Sequence, residues 1–127
     1  MKIGLTILSA LALAGSIAAA SGRSLWEKVP AKDHARTSPL AGDPKAIPAG
    51  AALYMHHCAQ CHGNDGMGVG KKKPPVRSEK VRNATDGDLE WVLRQGDLAH
   101  GMPSFSSLPQ AQRWQIVAYL RFISPST

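Results

Sequence analysis

The pentapeptide Cys58-Ala59-Gln60-Cys61-His62 constrains the fold of this chain more than any other part of its sequence. The C-x-x-C-H pattern is typical of covalent haem attachment. Two thiols three positions apart can each form a thioether with a vinyl group of a porphyrin, and the adjacent imidazole can then bind the iron. The motif therefore predicts one haem c attached through Cys58 and Cys61, with His62 as an axial iron ligand.

Three other kinds of site use cysteines at this spacing. A thioredoxin-like dithiol would follow a strand of a βαβ unit, and no such pattern surrounds the motif. A zinc site would need more ligands, but no second C-x-x-C or H-x-x-x-H is present, and His57 is too close to His62 in sequence to complete a tetrahedron. A simple disulfide between the only two cysteines is the third alternative.

The first twenty residues predict a secretory signal peptide. Lys2 precedes an apolar run that ends in Ala18-Ala19-Ala20, an A-x-A cleavage pattern that favours cleavage before Ser21. The alternative is an uncleaved anchor, which would give the protein its only membrane contact. The run is close to the shortest length that spans a bilayer, and we therefore favour cleavage.

The charge of the exported chain favours acidic partners. Residues 21–127 contain fourteen Lys and Arg and nine Asp and Glu, for a net charge of +5. A basic exported domain is attracted to acidic protein surfaces in a salt-dependent manner. Nucleic acid is a poor candidate partner, because the chain is exported and only 6% of its residues are aromatic.

Composition divides the exported chain into two parts. Residues 21–47 contain scattered prolines and charges without a sustained apolar period, which predicts a flexible tether. Its one apolar group, Leu25, Trp26 and Val29, is expected to cover part of the domain or to contact a partner. Residues 48–127 then form one domain of about eighty residues. A domain of that size is usually only marginally stable without a covalent cross-link or a bound cofactor, and a covalent haem would supply both.

The periodicity of the domain predicts an all-α fold with three main helices wrapped around one haem. The first helix runs from about Pro48 to Cys58, and its Gly50 would let another helix cross closely. The second begins with the capping-box sequence Thr85-Asp86-Gly87-Asp88 and ends at Gly96. The third extends from about Pro109 to Phe122 or Ile123. No alternating strand of useful length is present.

A second axial ligand has to reach the opposite face of the haem from His62. Met55, His56 and His57 are excluded because they lie on the helix before the motif, on the same side of the haem as His62. Met67 is excluded because it follows His62 by only five residues and cannot reach around the ring. Met102 and His100 lie in a loop, residues 97–108, that is long enough to fold over that face. Methionine sulfur would raise the reduction potential and close the sixth position. We favour Met102, with His100 as the alternative; a Met102 that only packs would leave the iron open to ligands.

Four motifs in this order resemble the class I c-type cytochromes. Leu53-Tyr54 with His57–Gly63 resembles the first helix and haem site of that family, and residues 65–70 resemble its glycine-rich loop. Gly101-Met102-Pro103-Ser104-Phe105 resembles its methionine loop, and residues 114–121 resemble its C-terminal helix. The similarity covers roughly residues 48–124 and implies that Gly50 and Tyr54 meet the neighbourhood of Tyr119 where the first and last helices cross.

The resemblance implies a periplasmic carrier of single electrons between proteins, without a small-molecule substrate and without enzymatic activity of its own. It also implies that a proline carbonyl accepts a hydrogen bond from His62. Pro74 and Pro75 are both candidates, and we favour Pro75. Two alternatives to a free carrier stay open. One is a haem subunit permanently docked to a dehydrogenase or reductase, and the other is a ligand-binding or peroxidatic haem protein with an open sixth site.

Two further residue groups have possible roles around the haem. Trp91 lies off the predicted apolar stripe of the second helix, from which its indole N–H could reach a haem propionate or the ring could simply pack beside the haem. Residues 71–73 are three consecutive lysines. They either steer an acidic redox partner or form a solvated surface.

Overall fold

The computed structural model describes residues 22–70 and 73–126, and within these ranges the chain is helical without a named strand. The predicted signal peptide and two of the three consecutive lysines lie outside the described residues. The α-helices in the described ranges are α1 (Ala31–His34), α2 (Ala46–His57), α3 (Ala59–His62), α4 (Glu79–Asn83), α5 (Asp86–Gln95) and α6 (Gln110–Ile123). Short 3-10 turns occupy Leu25–Lys28 and Leu98–His100. The three predicted main helices correspond to α2, α5 and α6, and the all-α prediction is confirmed.

The crossing of α2 and α6 sets the framework of the domain. Gly50 of α2 is buried, and a Cβ at this position would overlap the backbone carbonyl of Gln115 in α6. One turn further along α2, the ring of Tyr54 packs against Tyr119 with ring centroids 5.1 Å apart. Both features of the predicted crossing are therefore confirmed. The close approach is possible only because residue 50 has no side chain.

We expect Gly50→Ala to destabilise the protein strongly. The added methyl would force α2 away from the α6 backbone, and overpacking of this kind costs about 3 kcal/mol when the neighbour is backbone that cannot move aside. Chemical denaturation of the haem-containing protein measures the loss. Gly22→Ala is the matched control, because nothing lies within 4 Å of a Cβ at that position. Equal stability of the two variants would contradict the close crossing.

The sequence signals at the ends of α5 act as predicted. The Thr85 hydroxyl accepts a hydrogen bond from the Asp88 N–H at 3.1 Å, and the Asp88 carboxylate accepts one from the Thr85 N–H at 2.8 Å. This reciprocal capping box satisfies two of the free N–H groups at the start of the helix. Gly96 ends the helix in a positive φ conformation of 68°. The apolar stripe of α5, Leu89, Val92 and Leu93, is buried.

Arg121 fastens α6 to the segment that contains α4 and the start of α5. Its Nε donates to the Asp86 carboxylate at 2.7 Å, and its terminal nitrogens donate to the backbone carbonyls of Val81 and Ala84. These carbonyls lie in and after α4, a short helix that the apolar periodicity did not indicate. The guanidinium fork supplies several donors at once, which suits it to this junction.

The described part of the predicted tether, residues 22–47, packs against α5. Asp33 is only 5% exposed and accepts a hydrogen bond from Arg94 at 2.6 Å, while Arg36 donates to Glu90 at 2.8 Å. Buried charges of this kind remain stable only when they are paired, so this segment is held against the domain rather than free of it. Among the described residues, no helix is both long enough and apolar enough to span a bilayer.

Candidate functional site

The C-x-x-C-H motif lies at the end of α2 and in the single helical turn of α3. The N–H of His62 donates to the carbonyl of Cys58 at 2.9 Å. The chain then turns at Gly63, and the carbonyl of Gly63 accepts a hydrogen bond from the Tyr54 hydroxyl at 2.8 Å. Residues three and four positions apart share a helix face. Cys58, Cys61 and His62 consequently line the same cavity.

The two thiols are free in this structure, and no disulfide joins them. Cys58 is buried, which raises the pKa of its thiol to about 12, with a smaller contribution from neighbouring Cys61. The thiol is therefore neutral at physiological pH. A zinc site is also not formed by the described residues, because no group of three His, Cys, Asp or Glu side chains converges among them. The geometry thus favours neither the disulfide nor the zinc alternative.

His62 has its ring orientation fixed by a backbone carbonyl. Its Nδ1 lies 2.7 Å from the carbonyl oxygen of Pro74, and because that oxygen can only accept, Nδ1 must donate. The proton on Nδ1 leaves the other ring nitrogen, Nε2, unprotonated and able to bind a metal. The bond goes to Pro74, so our choice of Pro75 is wrong.

The register of the glycine-rich loop explains why Pro74 is the partner. The Val69 N–H donates to the carbonyl of Lys73 at 3.3 Å, and the Val76 N–H donates to the carbonyl of Gly66 at 2.9 Å. These two bonds anchor the segment on either side of the double proline. The carbonyl between them that faces His62 belongs to Pro74. The sequence motif alone does not define this register.

The cavity beside the motif has a volume of about 600 Å³ and predominantly apolar walls. Helices α2, α5 and α6 and the loop after α5 supply much of those walls. They include Tyr54, Leu89, Val92, Leu93, Phe105, Ile116 and Leu120, together with the two cysteines, His62 and Met102. Protein interiors are otherwise packed without such voids. A large apolar space with two thiols and an imidazole at its wall fits a covalently attached porphyrin.

Met102 lies on the cavity wall and packs against the core. Its backbone exchanges two hydrogen bonds with Asp97, at 2.9 and 2.8 Å. Directly after it, the Ser104 hydroxyl donates to the Arg94 carbonyl at 2.6 Å and the Phe105 N–H donates to the Leu93 carbonyl at 2.9 Å. These bonds tie both sides of the loop to the end of α5. The backbone of Met102 is thereby fixed at the cavity.

His100, the alternative ligand, lies at the edge of the cavity with its side chain 83% exposed. Its Nδ1 is 2.8 Å from the carboxylate of Asp97. Met67 is 58% exposed and is not among the residues that line the cavity. Of these three residues, Met102 is the one that combines a cavity position with packing against the core.

Trp91 does not have the position we predicted. It is buried, with 8% of its surface exposed, but it is not one of the residues that line the cavity. The face of α5 toward the cavity carries Leu89, Val92 and Leu93, and Trp91 projects about 100° away from Val92 around the helix. A role for its indole beside a haem propionate is therefore not supported.

A buried ion pair behind the cavity was not predicted from the sequence. Glu90 is fully buried, and its carboxylate accepts a hydrogen bond from Arg113 Nε at 2.8 Å. Arg113 also donates to backbone carbonyls of the loop that follows Met102, at Phe105, Ser106 and Leu108. The pair thus connects α5, α6 and the Met102 loop. The sequence signal that could have indicated this pair is the position of Glu90, directly after Leu89 of the apolar stripe of α5.

Comparison with known proteins places this site in context. The family model described as cytochrome C oxidase, cbb3-type, subunit III matches residues 45–120. A cytochrome c subunit of a quinone alcohol dehydrogenase from Gluconobacter oxydans (strain 621H) is 40% identical over 64 residues, which is 50% of this chain and 13% of that protein. The quinohemoprotein alcohol dehydrogenase ADH-IIG of Pseudomonas putida is 34% identical over 82 residues, 65% of this chain and 11% of that protein.

Two solved structures share the fold. Cytochrome cL of Methylophaga aminisulfidivorans MPT superimposes with a TM-score of 0.59 at 26% identity, covering 69% of this chain and 59% of the other. Cytochrome cL of Hyphomicrobium denitrificans has a TM-score of 0.55 at 20% identity, covering 82% of this chain and 68% of the other. The chain spans about an eighth of the length of the curated relatives it matches, so those similarities concern one domain of larger proteins.

Proposed function

Because this chain belongs to the c-type cytochromes, in the family described as cytochrome C oxidase, cbb3-type, subunit III, we propose that it carries single electrons between protein partners. Its cofactor is covalently bound haem c. We propose Cys58 and Cys61 as the thioether residues, and His62 and Met102 as the two axial ligands. The observation that carries the proposal is the apolar cavity, which has both thiols, the imidazole and the sulfur on its wall.

Each residue of the site has a distinct physical task in this proposal. Bound haem c supplies an iron that changes oxidation state by one electron. His62 is held in one tautomer by the Pro74 carbonyl, so its other ring nitrogen is unprotonated and free to bind iron. The Met102 sulfur would hold the iron as its second protein ligand and keep other ligands off it. The apolar walls keep water out, which favours the less charged, reduced state.

The wild-type protein tests this function directly. Purified from a host that attaches haem, it should contain one haem per chain by intact mass and titrate as a single one-electron couple. The reduced form should not bind carbon monoxide, since both axial positions are filled. Rapid carbon monoxide binding by the wild-type protein would instead identify a ligand-binding haem protein.

A second candidate function is a haem c subunit that remains docked to a dehydrogenase. The similarity to a chain described as the cytochrome c subunit of an alcohol dehydrogenase supports it. The site would work in the same way, but the electron donor would be a permanent partner. Size-exclusion chromatography of protein from its native source distinguishes the two functions. A free carrier elutes alone, and a subunit elutes with a catalytic chain.

We propose the bacterial periplasm as the site of action, with the signal peptide cleaved after Ala20. The A-x-A pattern at residues 18–20 supports cleavage at this position. The redox partner then presents an acidic docking surface, which the net charge of +5 for residues 21–127 would attract. Lys73 is one of the basic residues at the cavity, where its amine approaches Gly101 of the Met102 loop.

We expect replacement of Lys71, Lys72 and Lys73 by glutamine to slow partner reduction at low ionic strength. Electrostatic steering raises association rates by about ten- to a thousandfold, and loss of these three adjacent charges should slow association about tenfold. The difference should shrink at high salt, because screening shortens the range of the field. Stopped-flow reduction at several salt concentrations measures it.

The matched control removes the same charge elsewhere. Lys28, Lys32 and Lys45 are exposed lysines of the N-terminal segment, and their replacement by glutamine changes the net charge equally. Equal slowing in both triple variants would show that only the total charge matters and would remove the case for a local docking surface.

A further inference from the structure

The N-terminal segment reaches the same cavity as the haem motif. Leu25 and Trp26 line it together with Ser78, Lys80 and Val81. Trp26 also packs against the buried core, and the amine of Lys80 lies 6.0 Å from the centre of its ring. Residues 22–44 precede the part of the chain that matches the family model, which begins at residue 45. The cavity wall thus includes side chains from outside the matched domain.

A network of ion pairs, in which two buried carboxylates meet partly exposed arginines, holds this segment just beyond Trp26. Glu90, which is fully buried, accepts a hydrogen bond from Arg36 at 2.8 Å, and Asp33 accepts one from Arg94 at 2.6 Å. The Arg36 guanidinium also lies 5.0 Å above the ring of Trp114. Each charge in the network has an opposite charge as a partner, which is the condition for stable burial.

The backbone of this segment also packs closely against the start of α5. A Cβ on Gly87, near the start of α5, would overlap the backbone carbonyl of Asp33. The Thr85 hydroxyl donates to the carbonyl of His34 at 2.8 Å, and His34 Nδ1 lies 2.8 Å from the Asp88 carboxylate. The N-terminal end of α5 is therefore shaped to receive α1. Such a fit indicates a fixed position rather than a loose tether.

We propose that residues 24–36 form a built-in cover of the haem cavity, in which Trp26 closes one wall and the Arg36–Glu90 and Asp33–Arg94 ion pairs hold the cover in place. The inference rests on the proposed function, since the closed cavity is the one that would hold the haem. Trp26 acts as a positioning residue of the cofactor site. It excludes water from the part of the cavity wall that it covers and so keeps the reduction potential high.

Two substitutions test the cover in the haem-containing protein. Trp26→Ala removes the indole from the cavity wall, and we expect a lower reduction potential with normal haem attachment and axial ligation. Arg36→Gln weakens the fastening and leaves Glu90 paired with Arg113 and Arg94. We expect the same direction of potential shift and faster amide hydrogen exchange over residues 24–36. Trp26→Phe, which keeps an aromatic ring at the wall, should restore most of the wild-type potential.

Matched controls separate the cover from simpler effects. Arg23→Gln removes the same charge from an exposed residue of the segment, and Ala35→Ser alters an exposed neutral one. Neither should change the potential or the exchange rates. A wild-type potential in a normally ligated Trp26→Ala protein would overturn the proposal, as would an Arg36→Gln shift no larger than that of Arg23→Gln. If Trp26→Ala does not fold, the Arg36→Gln comparison decides the question.

Failure of the cover and failure of the proposed function give different results. The mass and the spectrum of the wild-type protein report haem attachment and sulfur ligation. Their absence would refute the electron-carrier function itself. An unchanged potential in variants that contain correctly ligated haem would refute only the role of Trp26 and its segment.

Discussion

The variant in which both Cys58 and Cys61 are replaced by serine is expected to lose covalent haem and cooperative folding together. Without the haem, the cavity of about 600 Å³ loses its contents. At about 24 cal/mol per Å³ of empty volume, the emptied cavity would lower the free energy of unfolding by about 14 kcal/mol. This figure is an upper bound, because water can enter through the cavity mouth. The total stability of a typical domain is only about 5–15 kcal/mol.

Circular dichroism with thermal unfolding, combined with intact mass, measures this result. Cys58→Ser alone is the control, since one thioether to Cys61 still ties the haem to the chain. That variant should retain helical structure with reduced stability. A haem-free double variant that unfolds in one sharp transition would show that the polypeptide core is sufficient by itself, against the argument from its size.

Met102→Ala is expected to open the sixth coordination position. Alanine offers no sulfur, so the reduced protein should bind carbon monoxide, with an apparent affinity at least about a hundredfold above that of the wild-type protein. Each factor of ten corresponds to about 1.4 kcal/mol of competition from the lost iron–sulfur bond. The reduction potential should also fall, because thioether ligation favours the reduced state. Absorption spectra under carbon monoxide and a redox titration measure the two effects.

Met67→Ala is the matched control for this variant. It removes the same side chain from an exposed position, 58% accessible, that is not part of the cavity wall. Its spectrum, potential and resistance to carbon monoxide should equal those of the wild-type protein. If Met102→Ala retained the wild-type spectrum, Met102 would not be the ligand. A Met102 and His100 double variant would then test His100, which lies at the edge of the same cavity.

Local signals predicted the main helices well. The capping box at Thr85, the stop at Gly96 and the apolar stripe of α6 each depend on residues a few positions apart, and the structure has these helices within about two residues of the predicted bounds. The Gly50 crossing was also predictable, because a buried glycine in a helix leaves space only for a close neighbour. Helix α4 was missed because five residues do not establish a period.

The errors lie where the answer depends on residues distant in sequence. The Pro74 carbonyl, not that of Pro75, accepts the hydrogen bond from His62. This register is set by backbone hydrogen bonds between the glycine-rich loop and residues 73–76. We placed Trp91 near the haem by considering one helix alone, whereas in the structure it is buried and is not among the residues that line the cavity. The tether was predicted from composition, which does not report that Asp33 and Arg36 find partners 54 to 61 residues away.

The sequence by itself determined the cofactor chemistry and the helical class. Both follow from short-range spacing, since two thiols and an imidazole must be adjacent to attach and bind one haem, and helices have a period of 3.6 residues. Only the tertiary structure decided which proline orients His62, how Glu90 and Arg113 support the Met102 loop, and that Trp26 lines the cavity. These contacts join residues far apart in the sequence, so no helical or strand periodicity predicts them. Each contact forms only when the whole domain is packed.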